Sequence, residues 1–216
     1  MAKKETAQPE APRSYVTLQR PATVEYVEKK SVFLGHAAPV RSQEEALAFL
    51  AEKRKKYSDA THNVYAYLLE GGNVTRYSDD GEPQGTAGIP VLDVIRKRGF
   101  CDAVIVVTRY FGGILLGAGG LVRAYTAAAS LAVEEAHVVT YEEFTAFTLR
   151  CDYTDYQKVA NELPAFAVKQ DDIAFESDVT LRLAIRTPLY ADFSRRICDL
   201  TAGRVTPVVV GTRFDA

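Results

Sequence analysis

The chain has 216 residues, 47% hydrophobic and 25% charged, with a formal net charge of −2. That is enough for one large or two small domains, and no stretch approaches the roughly 20 apolar residues of a bilayer-spanning helix. The near-neutral balance argues against a protein that coats nucleic acid by bulk charge, while leaving room for a local basic patch.

Residues 1–13 have no apolar h-region and are rich in Lys, Glu, Pro and Ala, so they read as a disordered tail and not as a secretory signal. Ala22–Lys29 alternates and Ser31–Val40 holds a short buried run, predicting two strands. Ser42 with Glu45 forms an S-x-x-E capping box at the start of a helix, which ends in Lys53, Arg54, Lys55 and Lys56. That basic run is read first as a solvated last turn favoured by the helix dipole, with a nucleic-acid contact as the alternative. Thr61–Leu69 follows as a strand with His62, Val64, Ala66 and Leu68 on one side, and Glu70–Asn73 suggests a hairpin turn to Val74–Tyr77.

The loop Ser78–Gly88 leads into a helix with Pro90 in its first turn and Gly99 beyond its end. Ala103–Thr108 is too continuously apolar and β-branched for a surface strand, so it is placed centrally. After a glycine-rich loop, a helix runs from about Leu121 to Ala136, and its alanine-rich face should lie close to the sheet. Around Val138–Phe144 the pattern resets. Phe144–Cys151, a helix with a Thr154/Gln157 capping box, Ala165–Gln170, Asp178–Arg186, a helix opened by Thr187 and Pro188, and Arg204–Thr212 then follow. This βαββαβ order is the ferredoxin-like pattern. The expected organisation is an α+β chain: tail 1–13, an N-terminal domain over 14–139 and a C-terminal domain over 140–216.

Two loops carry the chemistry. In the second, Gly112, Gly113, Gly117, Gly119 and Gly120 lie between Arg109 and Arg123. Glycines ahead of a helix can aim several N–H groups at one spot, where the helix dipole adds positive character. With Arg109, Tyr110 and Arg123 around them, the expected guest is an anion, with phosphate the first choice. The loop is neither a Walker A loop, since Ala118 stands where lysine is required, nor a dinucleotide fingerprint, since Val122 replaces the third glycine. The other reading is a simple strand-to-helix connection.

The first loop holds Asp79, Asp80 and Glu82. These carboxylates would cap the following helix, pair with Arg109 or Arg123 to wall the cleft, or hold a hard cation such as Mg²⁺. His62 is read as a structural strand histidine ahead of a general base. No G-x-S-x-G motif and no nucleophile with a base partner is present, so no catalytic residue is assigned. Three scattered cysteines (Cys101, Cys151, Cys198), with no C-x-x-C pair, argue against a disulfide framework or zinc site and make a reducing cytoplasm the expected compartment.

The blocks S-D-D-G-E-P…G-T-A-G…P over Ser78–Pro90, and V-T-R-Y-F-G-G…L-G…G-G-L-V-R-A-Y over Val107–Tyr125, resemble the signature of the IMPACT (YigZ-like) family. The resemblance covers about Ser14–Val139, and Phe144–Thr212 is similar to the small C-terminal domain of bacterial members, itself like a domain of elongation factor G. It implies an N-terminal domain of the ribosomal-protein-S5 second-domain type and a ferredoxin-like C-terminal domain. In eukaryotic relatives the domain acts in translational control, by competing for the activator of a nutrient-sensing initiation-factor kinase. No counterpart of their RWD-type domain is read here, so that partner is not carried over. The resulting expectation is a non-enzymatic, cytoplasmic, translation-associated protein that binds RNA or another phosphate-bearing ligand in the glycine cleft, with RNA, the ribosome or a translation factor as partner. No membrane and no cofactor is expected. The alternatives are an enzyme with Mg-nucleotide at the same cleft and a ribosome- or factor-docking module.

Overall fold

Why Ala103–Tyr110 must lie at the centre is visible in the computed structural model, which describes residues 14–69 and 73–216. The tail and most of the expected Glu70–Asn73 turn lie outside the described residues. In chain order the first half contains β1 (Ser14–Leu18), β2 (Ala22–Glu28), β3 (Ser31–Pro39), α1 (Gln43–Lys56), β4 (His62–Leu69), β5 (Val74–Ser78), α2 (Gly88–Arg98), β6 (Ala103–Tyr110) and α3 (Gly117–Ala136). The second half contains β7 (Val138–Cys151), α4 (Tyr153–Glu162), β8 (Lys169–Phe175), β9 (Val179–Arg186), α5 (Tyr190–Leu200) and β10 (Val208–Asp215). The chain divides into two compact units, Tyr15–Thr140 and Tyr141–Ala216.

In the first unit the sheet order is β2-β3-β6-β4-β5, antiparallel throughout, with β6 in the middle. Both faces of β6 are covered. Ala103, Ile105 and Val107 join the core shared with α2 and α3, while Val104 and Val106 join the core shared with α1. A strand buried on both faces needs apolar residues at every position, which is why period-2 alternation disappears there although the sheet is antiparallel. Helix α3 lies close to the sheet: a Cβ on Gly35 of β3 would overlap the carbonyl of Ala128.

The second unit has strand order β8-β9-β7-β10, antiparallel at each pairing. With its βαββαβ connectivity this is the ferredoxin-like arrangement. Phe147, Leu149, Leu181, Leu183 and Ile185 form its core with Val159 of α4 and with Phe193 and Ile197 of α5. Asp155 accepts two hydrogen bonds from Arg204 and one from Lys158, and Arg204 first, then Lys158, holds its carboxyl well below the usual carboxylate range.

Several local expectations are corrected. Strand β1 has no counterpart in the sequence reading, and the reset at Val138–Phe144 is instead the opening of the long β7. Helix α4 is capped by Asp152, whose side chain accepts from Asp155 N, and not by Thr154. Ser42 does cap α1, but the reciprocal Glu45 carboxylate accepts from Arg41 N, one residue before the cap. The strand placed at Ala165–Gln170 begins only at Lys169, because Pro164–Phe166 forms a single 3-10 turn. The last strand is Val208–Asp215, not Arg204–Thr212.

Candidate functional site

The site is assembled at one end of the first sheet, on the face that carries α2 and α3. Cross-strand register places His62 of β4 beside Arg109 of β6, and Arg109 beside Phe33 of β3. The period that sends Val64, Ala66 and Leu68 into the core therefore sends His62 to the end of the same row. The acidic loop 79–82 and the glycine loop 112–117 flank that row.

Each carboxylate of the acidic loop has a separate task. Asp79 accepts from the N–H groups of Gly85 (2.9 Å), Ala87 (3.1 Å) and Gly88 (2.8 Å), and so caps α2, whose own N-cap residue Ala87 provides no side-chain bond. Gly88 is required at that point, since a Cβ there would lie 2.8 Å from the Ser78 carbonyl carbon. Asp80, at φ +48°, accepts from Arg54 Nη2 (2.8 Å) and from Asn63 N (2.6 Å), and its own carbonyl oxygen sits 2.7 Å from His62 Nδ1. This takes Arg54 out of the free basic set of α1's last turn. Glu82, 8% exposed, accepts through Oε1 from Arg109 Nη1 (2.5 Å) and from the Tyr125 hydroxyl (2.8 Å), with His62 Nε2 at 3.8 Å from the same oxygen. Burial first, and then the Glu82 carboxylate, push the Tyr125 hydroxyl far above the ordinary phenol value, so it stays a donor.

Arg109 is 5% exposed, lies between the rings of Phe33 and Phe111 at 5.4 and 5.6 Å, and keeps one buried hydrogen-bonding atom, Nε, without a partner. Glu82 is thus its counter-ion, and the floor of the site is close to neutral. This changes the expected electrostatics: Arg109 is not a free cation awaiting a phosphate, because its Nη1 already donates to the Glu82 carboxylate.

Between the loops lies a cavity of about 380 Å³. Thr61, His62, Glu82 and Arg109 supply its polar floor, and Pro83, Phe111, Leu115, Leu116 and Leu121 its apolar walls. Gly117 and Ala118, the first two residues of α3, also line it, and no side chain caps that helix end. Phe111 is 46% exposed and Leu115 83%, an unusual exposure for large apolar side chains beside a cavity.

The glycines divide by role. A Cβ on Gly112 would overlap the backbone of Lys30, and its N–H donates to Ser31 Oγ (3.1 Å), so this residue locks the loop against the β2–β3 turn. Gly113 and Gly117 have φ of +82° and +69°. Gly119 and Gly120 are not loop residues, because α3 begins at Gly117 and not near Leu121.

Two expected site residues stand elsewhere. Tyr110 follows Arg109 on a strand, so its side chain leaves on the opposite face, where its hydroxyl donates to Asp59 (2.9 Å). Arg123 is exposed and does not line the cavity. Its backbone lies six residues into α3 from Gly117, about 9 Å along the axis, while its guanidinium reaches back to the first turn, where Nη1 would lie 3.6 Å from a Cβ on Gly119. The Mg²⁺ alternative loses its ligand set: the three carboxylates serve α2, Arg54 and Arg109, and among the described residues no three His, Cys, Asp or Glu side chains form a metal-holding group. Sequence reasoning missed Tyr125 and Ser31. A tyrosine on the apolar face of α3 carries a signal, since its buried hydroxyl must find a partner. Ser31 carries none.

Both halves of the chain have known relatives. The Impact N-terminal domain model matches residues 29–133, and the model of a domain of unknown function, DUF1949, matches residues 149–204. The chain is 37% identical to the IMPACT family member YvyE of Bacillus subtilis, over 88% of each chain. It is 34% identical to the IMPACT family member YigZ of Escherichia coli, over 88% of this chain and 95% of that one. A crystal structure of a hypothetical protein superposes with a TM-score of 0.58 at 32% identity, covering 91% of this chain and 97% of the other.

Proposed function

The chain belongs to the IMPACT family, and on that premise we propose that it is a translation-associated, non-catalytic RNA-binding protein whose N-terminal cavity receives one unstacked base of a single-stranded segment. The observation that carries the reading is the cavity itself. Its volume of about 380 Å³ falls within the roughly 300–1,000 Å³ of small-ligand sites, with apolar walls over a few buried polar groups. Phe111, 46% exposed at the mouth, offers a ring face for stacking, the usual way in which proteins hold splayed RNA bases. Phosphates stay outside the neutralised floor, against the exposed Lys29 and Lys30, whose turn abuts Gly112, and against Arg123.

The test is binding of single-stranded RNA hexamers across a salt series. Phe111→Ala should weaken binding about tenfold or more, from a stacking contribution of roughly 1–3 kcal/mol per base. The triple change of Lys29, Lys30 and Arg123 to Ala should shallow the salt slope by about 0.7 for each phosphate that is no longer neutralised. Unchanged affinity in the first variant and an unchanged slope in the second would remove the reading.

A further inference from the structure

Resting on that RNA-binding reading, we propose that the cavity is selective for guanine, recognised by its two adjacent N–H donors through Glu82 and His62.

The floor presents acceptors. A carbonyl oxygen can only accept, so the 2.7 Å contact between Asp80 O and His62 Nδ1 puts the hydrogen on Nδ1. On an unprotonated ring Nε2 is then an acceptor; it lies 3.8 Å from Glu82 Oε1, and both residues line the cavity. Two acceptors facing each other at that distance lack a donor. The contacts from Arg109, Tyr125 and His62 all fall on Oε1 of Glu82, and among the described residues no hydrogen bond reaches Oε2. Glu82 is buried, its side chain 4% exposed, yet it lines the cavity, so a ligand placed there is what can complete it.

The missing partner is therefore a group with two neighbouring donors. Among the four RNA bases only guanine has them on its Watson–Crick edge, at N1 and the exocyclic N2. Adenine and cytosine put an acceptor beside one amino group, and uracil flanks one N–H with two carbonyls. Any of those edges would set an acceptor against the carboxylate or the imidazole, which is how a buried polar site rejects a wrong ligand. A protonated amine also brings donors, but Arg109 already cancels the charge of Glu82. A second cation would leave water for a site with no net negative charge and would sit beside a guanidinium. The flat apolar walls at Pro83, Phe111 and Leu121 likewise suit a ring system better than an alkyl ammonium.

The full chain is titrated at pH 8 with fluorescent uridine hexamers carrying one central guanosine, inosine or adenosine, alongside the all-uridine hexamer. Inosine keeps N1–H and loses the exocyclic amino group. Guanosine should bind about a hundredfold more tightly than adenosine or uridine, with inosine between them, as expected for losing one hydrogen bond and then a charge-assisted one. His62→Ala, checked for folding by its melting profile, should remove the preference for guanosine over inosine. Equal binding of all four hexamers overturns guanine selectivity while leaving RNA binding in place. A preference for guanosine over inosine that survives His62→Ala also overturns it, since the exocyclic amino group would be read elsewhere. Failure of every hexamer to bind removes the RNA reading and the selectivity with it. Competition by spermidine that displaces the guanosine hexamer more strongly than it displaces the uridine hexamer identifies an amine site instead.

Discussion

The Arg109–Glu82 pair invites a quantitative test, because both partners are almost wholly buried, at 5% and 8% exposure, and one of them also holds Tyr125. Glu82→Gln keeps the shape and an amide oxygen for the Tyr125 hydroxyl, but it leaves the guanidinium charged between Phe33 and Phe111 with no counter-ion. Removing one partner of a buried pair typically costs about 3–5 kcal/mol. The retained amide oxygen puts this case near the lower end, about 3 kcal/mol. Arg109→Met added to Glu82→Gln removes the orphaned charge while keeping an unbranched side chain between the rings. The double variant should therefore recover about 2 kcal/mol relative to Glu82→Gln alone. The two units need not unfold together, so the readout is urea-dependent hydrogen exchange at the amides of β6, with β9 as the internal control. Equal stabilities for the single and double variants would refute the claim that charge compensation is what Glu82 supplies.

A second prediction concerns His36, fully buried on the α1 face, stacked on Tyr57 and within 3.0 Å of the Thr23 hydroxyl. Burial first, then Lys53 and Lys56, lowers its pKa to about 4. The folded ring stays neutral while the unfolded chain takes up a proton below about pH 6.5, so stability falls as pH drops from there towards 4. Between pH 7 and pH 5 the loss is about 2 kcal/mol. His36→Gln should flatten the profile by that amount, measured by chemical denaturation at the two pH values, and an unaltered profile would contradict the assignment. The third prediction concerns helix α3. Gly35→Ala would drive a Cβ into the Ala128 carbonyl and should cost about 1–3 kcal/mol in thermal melts. Because the obstacle is backbone, Ala128→Gly should not rescue it; full rescue would show that a side chain was the limit.

The layout of elements was legible wherever one local pattern had one structural meaning. Continuous β-branched residues placed β6 at the sheet centre, and the alanines of α3 announced its close packing. The two chemistry-bearing loops were also legible, since glycine, aspartate and proline at high density have few uses in a regular element. Boundaries fared worse. A glycine run looks like a loop whether or not it is helical, so the pattern alone places the first turn of α3 in the loop.

Composition and pattern by themselves determined that this chain forms an α+β protein with a polar, glycine-flanked site near residue 110, because burial and turn chemistry are written in near-neighbour spacing. Which charge meets which was decided only by tertiary structure. Glu82, Arg109, Tyr125 and His62 come from four separate segments and meet through strand register and helix packing. That meeting converts an apparent anion trap into a neutral, acceptor-bearing floor, and the reason is physical: a buried guanidinium must find its counter-ion within a few ångströms, wherever in the chain it resides.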